Sequence, residues 1–131
     1  MIALDTNVLA RYIAQDDARQ LALANKLIES LTVEDPAFVG TVVVVELVWV
    51  LSACYGFDRS QLATVLETLM RTKQFVVERV DLLWTAVRQF KDGSADFADC
   101  LIARSAAAAG CSATMTFDKS AAKSAGMKLL Q

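Results

Sequence analysis

Histidine is absent from the 131-residue sequence, and this absence removes several classes of catalytic site. Serine and cysteine nucleophiles that depend on a histidine base are excluded, as are histidine-held zinc and cleavage of RNA by a histidine acid–base pair. Hydrolytic chemistry in this chain must therefore depend on carboxylates, on lysines or on a metal ion held by oxygen ligands.

Cysteine is scarce, and its three positions form no close pair. Because Cys54, Cys100 and Cys111 are odd in number and far apart, neither a disulfide framework nor a cysteine-rich zinc site is indicated. Each lies among apolar residues, so we expect each to be a small buried hydrophobic side chain.

Long apolar segments are also missing, although the chain is 55% hydrophobic with a mean hydropathy of +0.39. No run of 18 apolar residues is present, and the most apolar stretch, residues 41–53, carries Glu46 near its centre. Residues 1–5 lack the basic start and long apolar segment of a secretion signal. The sequence therefore predicts a cytoplasmic protein without a membrane span, folded as one domain over residues 1–131.

The charge balance does not decide whether the partner is a nucleic acid. A net charge of −2 and a pI near 5.0 ordinarily argue against one, since basic surface drives phosphate binding. That argument weakens if acidic residues are gathered at a metal site, because 13 Lys and Arg residues then remain for phosphates elsewhere.

Strand-like and helix-like patterns alternate along the chain. Short strands are predicted at residues 2–4, 37–40, 75–78, 113–117 and 127–130. Helices are predicted at residues 7–31 (as two helices meeting near residues 15–17), 42–55, 58–71, 82–90, 95–109 and 119–124. This alternation predicts an α/β fold with helices on both faces of a parallel sheet, and an active site beyond the carboxyl ends of the strands.

Three carboxylates stand out by their position along these elements. Asp5 and Asp118 each directly follow a predicted strand, so they would share one edge of the sheet; a helix N-cap is the alternative role for each. Glu46 lies in an apolar helix with no Lys or Arg within a helical turn or two. A buried carboxylate without a partner is costly, so Glu46 either meets a cation or reaches solvent.

Asp96 and Asp99 stand three residues apart near the start of a predicted helix, and therefore share one of its faces. Favourable charge placement at a helix N-terminus is the alternative for Asp96, whereas Asp99 lies deeper among apolar residues. Two unit charges about 4 Å apart repel by roughly 4 kcal/mol at an effective dielectric of 20. A divalent ion bound between the carboxylates replaces this net repulsion with a net attraction. Oxygen ligands without His or Cys select Mg²⁺ or Mn²⁺.

Four segments carry a family resemblance: LDTNVL at residues 4–9, EL at 46–47, ADFADCLIA at 95–103 and TFD at 116–118. In order and spacing they resemble the PIN-domain nucleases and, more narrowly, the VapC toxins of type II toxin–antitoxin pairs. The resemblance covers essentially the whole chain. It implies a three-layer fold with a five-stranded parallel sheet flanked by helices, and RNA cleavage that depends on Mg²⁺ or Mn²⁺.

The resemblance also assigns roles to individual side chains. The catalytic and metal-holding positions that it matches are Asp5, Glu46, Asp99 and, at a more variable place, Asp118. Asp96 matches an auxiliary acidic position. Polar positions that orient the carboxylates are matched by Asn7, Thr6 and Thr116, for which turn and cap hydrogen bonding is the alternative role.

The function implied is that of an endoribonuclease toxin that cuts tRNA or rRNA with a metal-activated water. Members of the family form homodimers and are held inactive by a cognate antitoxin, and Trp49 or Trp84 would suit such an interface, although core packing is the favoured alternative. The candidate phosphate contacts are Arg11, Arg104 and Lys119.

Two rival functions remain at this point. Phosphoryl transfer through an aspartyl-phosphate, as in haloacid-dehalogenase-like phosphatases, would want a second Asp two residues after Asp5, and Asn7 stands there. A degenerate PIN fold that serves only as a binding module is the non-catalytic rival. The complete acidic set argues against that module, which has no need to retain carboxylates that repel one another.

Overall fold

The computed structural model describes all 131 residues, Met1–Gln131, as an α/β chain of seven helices and five short strands. The predicted α/β class is therefore confirmed. The chain divides into two compact units, Met1–Glu78 and Arg79–Gln131. None of the helices has the length and apolar character needed to cross a membrane.

The first unit contains a three-stranded parallel sheet. Its elements are β1 (Ile2–Ala3), α1 (Thr6–Ala14), α2 (Ala18–Glu29), β2 (Ala37–Val39), α3 (Thr41–Tyr55), α4 (Arg59–Arg71) and β3 (Phe75–Val77). The strand order is β1-β2-β3, with Ile2 opposite Ala37 and Phe38 opposite Val76. Parallel neighbours need long crossovers, which the helix pairs α1–α2 and α3–α4 supply.

The second unit has a two-stranded parallel sheet. Its elements are α5 (Val80–Asp92), α6 (Phe97–Ala108), β4 (Met115–Thr116), α7 (Lys119–Ser124) and β5 (Lys128–Leu129). β4 pairs with β5, and α7 is the crossover between them. The prediction of one five-stranded sheet is therefore wrong: the five strands form separate sheets of three and two. Strands of only two or three residues offer few backbone groups, so each ladder is short.

Helix boundaries follow local capping signals. Asp58 caps α4 through a reciprocal pair, in which its Oδ1 accepts the Gln61 N–H at 2.8 Å and Gln61 Oε1 accepts the Asp58 N–H at 2.9 Å. α3 ends at Gly56, whose φ of +68° is a left-handed conformation that glycine adopts at little cost. The valine run at residues 42–45 is helical despite its β preference, because α3 buries an apolar face along its length.

The core of each unit is aliphatic or aromatic. The largest side chains with under 2% exposure in the first unit are Leu9, Val39, Val44, Leu47, Leu51 and Leu66. In the second unit, Phe97 meets Phe90 edge to face with ring centroids 5.7 Å apart.

Burial corrects two expectations about apolar side chains. Cys100 is buried as predicted, but Cys54 and Cys111 are exposed. Cys54 lies on the solvent face at the end of α3, and Cys111 follows the end of α6, so apolar sequence neighbours do not cover either one. Trp49 is 66% exposed, so the favoured expectation that it packs in the core is wrong.

Truncating the buried face of α3 should destabilise the protein far more than truncating its exposed face. Leu47→Ala removes a side chain with no exposure and should lower the free energy of unfolding by about 2–5 kcal/mol. Val42→Ala on the same helix, at a 70% exposed position, should change it by less than about 0.5 kcal/mol. Urea unfolding measures both, and equal losses would contradict the assigned orientation of α3.

Candidate active site

Asp5 lies beyond the carboxyl end of β1, as predicted. The Leu4 N–H bonds to the Phe38 carbonyl at 3.0 Å, which holds the chain against β2 until the residue before Asp5. Asp5 is exposed and is the N-cap of α1, its Oδ1 accepting the Thr6 N–H at 2.8 Å. The cap role that the sequence left open is therefore real. It occupies one carboxylate oxygen, so it does not exhaust the binding capacity of Asp5.

Glu46 lies in the second turn of α3 and is exposed, so the alternative in which it reaches solvent is the one observed. Its apolar sequence neighbours are divided between two faces of the helix: Leu47 and Val44 are buried, whereas Val42 and Trp49 are exposed on the side of Glu46. α1 packs against α3 in the first unit, so the helix that Asp5 caps contacts the helix that carries Glu46.

Glu78 is a functional candidate that the sequence analysis missed. It follows β3 at the same sheet edge as Asp5, and its Oε1 accepts the Thr41 N–H at 2.9 Å. The N-cap residue of α3 is Gly40, which has no side chain to cap the helix, so Glu78 supplies a cap from another strand. Hydrogen bonds from the Thr41 backbone N–H and then its hydroxyl hold the pKa of Glu78 below its usual value. A carboxylate at the carboxyl end of a predicted strand was the signal that could have found it.

A polar cluster ties the carboxyl end of α1 to that of α3. Arg11 Nη1 contacts Asp16 Oδ2 at 2.9 Å and the Tyr55 hydroxyl at 2.7 Å, and the Tyr55 hydroxyl donates to Asp16 Oδ2 at 2.6 Å. The Tyr55 hydrogen bond, and then Arg11, hold the pKa of Asp16 below its usual value. Arg11 Nε also bonds to Gln20, so the guanidinium is committed within the first unit and is a poor candidate for gripping phosphates.

The second unit brings three of the predicted carboxylates close enough to interact. Asp96 precedes α6 without making a side-chain cap, and Asp99 lies in its first turn. Asp99 is half-buried, and its pKa is raised by that burial, then by the charges of Asp96 and Asp118. The expected repulsion among these carboxylates is therefore present at Asp99.

Asp118 is held in place by backbone hydrogen bonds at the start of α7. Its Oδ1 accepts the N–H groups of Ser120 at 2.8 Å and Ala121 at 3.2 Å, while its own N–H donates to Thr116 Oγ1 at 3.0 Å. The turn hydrogen bond expected of Thr116 is therefore observed. Because both cap bonds use Oδ1, the orientation of the second carboxylate oxygen is fixed.

The remaining predicted residues have mixed surroundings. Thr6 is 4% exposed, and its Oγ1 is buried without a hydrogen-bond partner. Asn7 lines a largely apolar cavity of about 290 Å³ between α1 and α2. Arg104 is half-buried with an unpartnered Nε, whereas Lys119 is exposed. The orienting roles of Thr6 and Asn7 stay predictions.

The donor set fits a hard divalent cation in its chemistry. The candidate side chains offer only carboxylate oxygens, which Mg²⁺ and Mn²⁺ prefer, and Asp99 already feels the repulsion that a cation would relieve. No group of three or more His, Cys, Asp or Glu side chains in the structure is placed to hold a metal ion. The assignment of Asp5, Glu46, Asp99 and Asp118 as ligands therefore stays a prediction.

Comparison with known proteins identifies the family. The sequence model of the PIN domain matches residues 2–126, a span that includes every predicted acidic position, and the chain belongs to this family. More narrowly, the chain is similar to a VapC ribonuclease of Aquifex aeolicus (strain VF5), with 27% identity over 101 residues that cover 77% of this chain and 75% of the relative. The resemblance to VapC-like PIN proteins is thus confirmed. No solved structure was found to match.

Replacing Glu78 tests its role as the cap of α3. Because the folded-state pKa of Glu78 is lowered, its contribution to stability is present above its unfolded pKa and is lost as the pH falls through the folded value. Glu78→Gln should therefore lower the urea midpoint at pH 7, and the difference from the wild type should shrink well below pH 4.5. Glu34→Gln, at an exposed turn position, is the control. A pH-independent difference would refute the charged cap.

Replacing Asp99 tests the repulsion in the second unit. The raised pKa means that ionised Asp99 costs the folded state free energy above that pKa and costs nothing below the unfolded value. Asp99→Asn should therefore melt at an equal or higher temperature than the wild type at pH 7.5 in EDTA, and the gap should close near pH 3.5. A markedly lower melting temperature at pH 7.5 would instead indicate a structural role for Asp99.

Proposed function

We propose that this protein is an endoribonuclease that hydrolyses RNA phosphodiester bonds with the help of Mg²⁺ or Mn²⁺, and that it is the toxin of a toxin–antitoxin pair. The observation that carries the proposal is the PIN family match, which runs from before Asp5 to beyond Asp118 and includes Glu46 and Asp99. Similarity to a VapC ribonuclease supports the choice of RNA as the substrate.

The proposed roles follow from the resemblance of each carboxylate to an acidic position of the PIN family. Asp5, Glu46, Asp99 and Asp118 would hold the cation, with Asp96 as an auxiliary ligand. A divalent ion bound by such groups lowers the pKa of a water and neutralises charge that develops on a phosphate. The chain's own contribution is to fix the carboxylates before substrate arrives.

Several described contacts perform that positioning. The bonds from Ser120 and Ala121 fix the rotamer of Asp118, and the bond from Thr6 fixes that of Asp5. Glu78 caps the first turn of α3 by accepting the N–H of Thr41, which is five residues before Glu46. Sites held in this way need little rearrangement at the moment of reaction, which favours catalysis.

Partners follow from the same proposal. Lys119 is exposed directly after Asp118, so we assign it the contact with an RNA phosphate. Arg11 is a weaker candidate because its guanidinium already bonds to Asp16, and Arg104 is weaker because it is half-buried. The substrate would be tRNA or rRNA in the cytoplasm, the inhibitor a cognate antitoxin protein, and the assembly a homodimer.

Cleavage assays with a metal chelator test the enzyme directly. Purified protein should cut single-stranded RNA in Mg²⁺ or Mn²⁺, stop in excess EDTA, and recover when Mg²⁺ is restored. Asp99→Asn and Glu46→Gln should each lower the rate by at least about 100-fold, because removing a ligand should cost more than the 10–100-fold typical of groups that only support ligands.

Controls separate the rival readings. Glu34→Gln, purified in parallel, should keep full activity. Residual cleavage by the Asp99→Asn protein sets the upper limit on any contaminating nuclease. Cleavage that persists unchanged in EDTA would rule out the metal-dependent mechanism. A protein that binds RNA but never cleaves it would instead be the non-catalytic PIN module.

A further inference from the structure

Arg104 places a guanidinium group on the packed face of α6. It follows Phe97 by seven positions and Cys100 by four, so helical spacing puts it on the face where both of those side chains are almost completely buried. Its Nε atom is buried and has no hydrogen-bond partner. A buried donor without a partner is costly, so an arginine at this position needs an explanation that core packing does not supply.

The far end of the Arg104 side chain lies against the turn that follows α7. A Cβ atom placed on Gly126 would be 3.9 Å from Arg104 Nη2, which is an ordinary van der Waals distance. This turn closes α7, since the N–H groups of Ala125 and Met127 both bond to the Ala121 carbonyl. The last carbonyl groups of a helix have no intrahelical partner and favour a nearby cation. The guanidinium therefore lies where the end of α7 attracts positive charge.

A second contact is made by the same end of α7. The Ser94 hydroxyl donates to the hydroxyl of Ser124, the last residue of the helix, at 3.2 Å. Ser94 belongs to the segment that leads from α5 into α6. The carboxyl end of α7 thus meets α6 and the segment before it at two points. Because the hydroxyl contact is exposed, Arg104 is the stronger of the two anchors.

The opposite end of α7 is repelled by α6. Asp118 caps the start of α7, and its charge is one of those that raise the pKa of Asp99 in the first turn of α6. α7 has only six residues, of which Ala121 is the buried one, so little apolar packing opposes this repulsion. The position of Asp118 therefore depends on how firmly the other end of its helix is held.

We propose that Arg104 is a positioning residue, which anchors the carboxyl end of α7 to α6 and thereby keeps Asp118 beside Asp99. The inference rests on the proposed function, in which both carboxylates hold the divalent cation. Without the anchor the two carboxylates would separate, and a cation would have to draw α7 back before it could bind both. Its affinity would then be lower, because the free energy of ordering the site offsets part of the binding free energy.

Mn²⁺ binding to the purified protein tests this role without any RNA. Arg104→Met keeps an unbranched side chain and removes a buried donor that has no partner, so its melting temperature should stay within about 3 °C of the wild type. Its affinity for Mn²⁺, followed through the paramagnetic resonance signal of the free ion, should fall about 10-fold, as for residues that support metal ligands. Arg104→Lys retains a cation and should stay within about threefold of the wild type.

The sign of the change separates anchoring from a simple effect of charge. Removing a cation from the unit should by itself favour a bound Mn²⁺, so a loss of affinity in Arg104→Met is opposite to the direct electrostatic effect. Arg88→Met is the matched control, since it removes the same charge from an exposed position on α5 and should leave the affinity unchanged or slightly higher. Ser124→Ala removes the second contact and should weaken Mn²⁺ binding about two- to threefold.

Amide hydrogen exchange in EDTA shows where the structure loosens. The N–H groups of Ser120 and Ala121 bond to Asp118 Oδ1 at the start of α7. Their exchange should accelerate in Arg104→Met, because the helix that carries them is no longer anchored. The Cys100 N–H, which bonds within α6 to the Asp96 carbonyl, should keep its protection. Equal acceleration in both helices would indicate a general loss of stability and would contradict the positioning role.

Cleavage assays separate this inference from the proposed function. Arg104→Met should recover its activity at high Mn²⁺ with an unchanged KM for single-stranded RNA, whereas Asp99→Asn should not recover. If the wild type cleaves RNA but Arg104→Met binds Mn²⁺ as tightly as the wild type, the positioning role is wrong and the enzyme assignment stands. A raised KM for RNA at unchanged Mn²⁺ affinity would make Arg104 a phosphate contact and overturn the inference. A wild type that neither binds Mn²⁺ nor cleaves RNA would refute both.

Discussion

Repulsion between carboxylates is the constraint on which the candidate site depends. Asp99 carries it most clearly, since burial and then the charges of Asp96 and Asp118 raise its pKa. The packing that places Asp99 there is strong, because Phe97 and Cys100 on the same helix are almost completely buried. The second unit thus stabilises α6 through its apolar face while it holds a carboxylate where charge is unfavourable. Unfavourable charge of this kind, offset by the packing of the surrounding core, is typical of binding and catalytic centres.

Helix capping and site chemistry are not competing explanations in this fold. Asp5 and Asp118 both follow strands, both cap the next helix, and both are predicted from the family resemblance to be site carboxylates. A cap bond uses one oxygen of the carboxylate and fixes its rotamer, which leaves the other oxygen in a defined orientation. The same geometry that satisfies a helix N-terminus would therefore preorganise the carboxylate for the ligand role proposed for it.

The local elements could be predicted from the sequence because their signals are local. α7 was predicted at residues 119–124 and lies at Lys119–Ser124, and α3 was identified despite its valine run from its length and the Gly56 that ends it. Strands were predicted too long: residues 113–117 contain only the two-residue β4. A strand exists only where it has a partner, and a one-dimensional pattern does not show which backbone groups meet. The division of five strands into two sheets was missed for the same reason.

Side-chain burial and distant partners were the other sources of error. The apolar sequence neighbours of Glu46 suggested that it could be buried and would then need a partner. A helix, however, places sequence neighbours on different faces, and Glu46 lies on the exposed face of α3 with Trp49. Glu78 was missed because its hydrogen bond is to Thr41, far away in the chain. The acidic positions were predicted from a family resemblance in order and spacing; the PIN match confirms the family, and the roles of these positions stay a prediction.

The bond between Glu78 and Thr41 also bears on the order in which the chain acquires its structure. The two residues are 37 positions apart, so the first turn of α3 has no cap until the chain has extended through α4 and β3 has paired with β2. Closing a loop of that length costs entropy that only the completed sheet repays. During synthesis, the cap of the helix that carries Glu46 is therefore among the last contacts of the first unit to form.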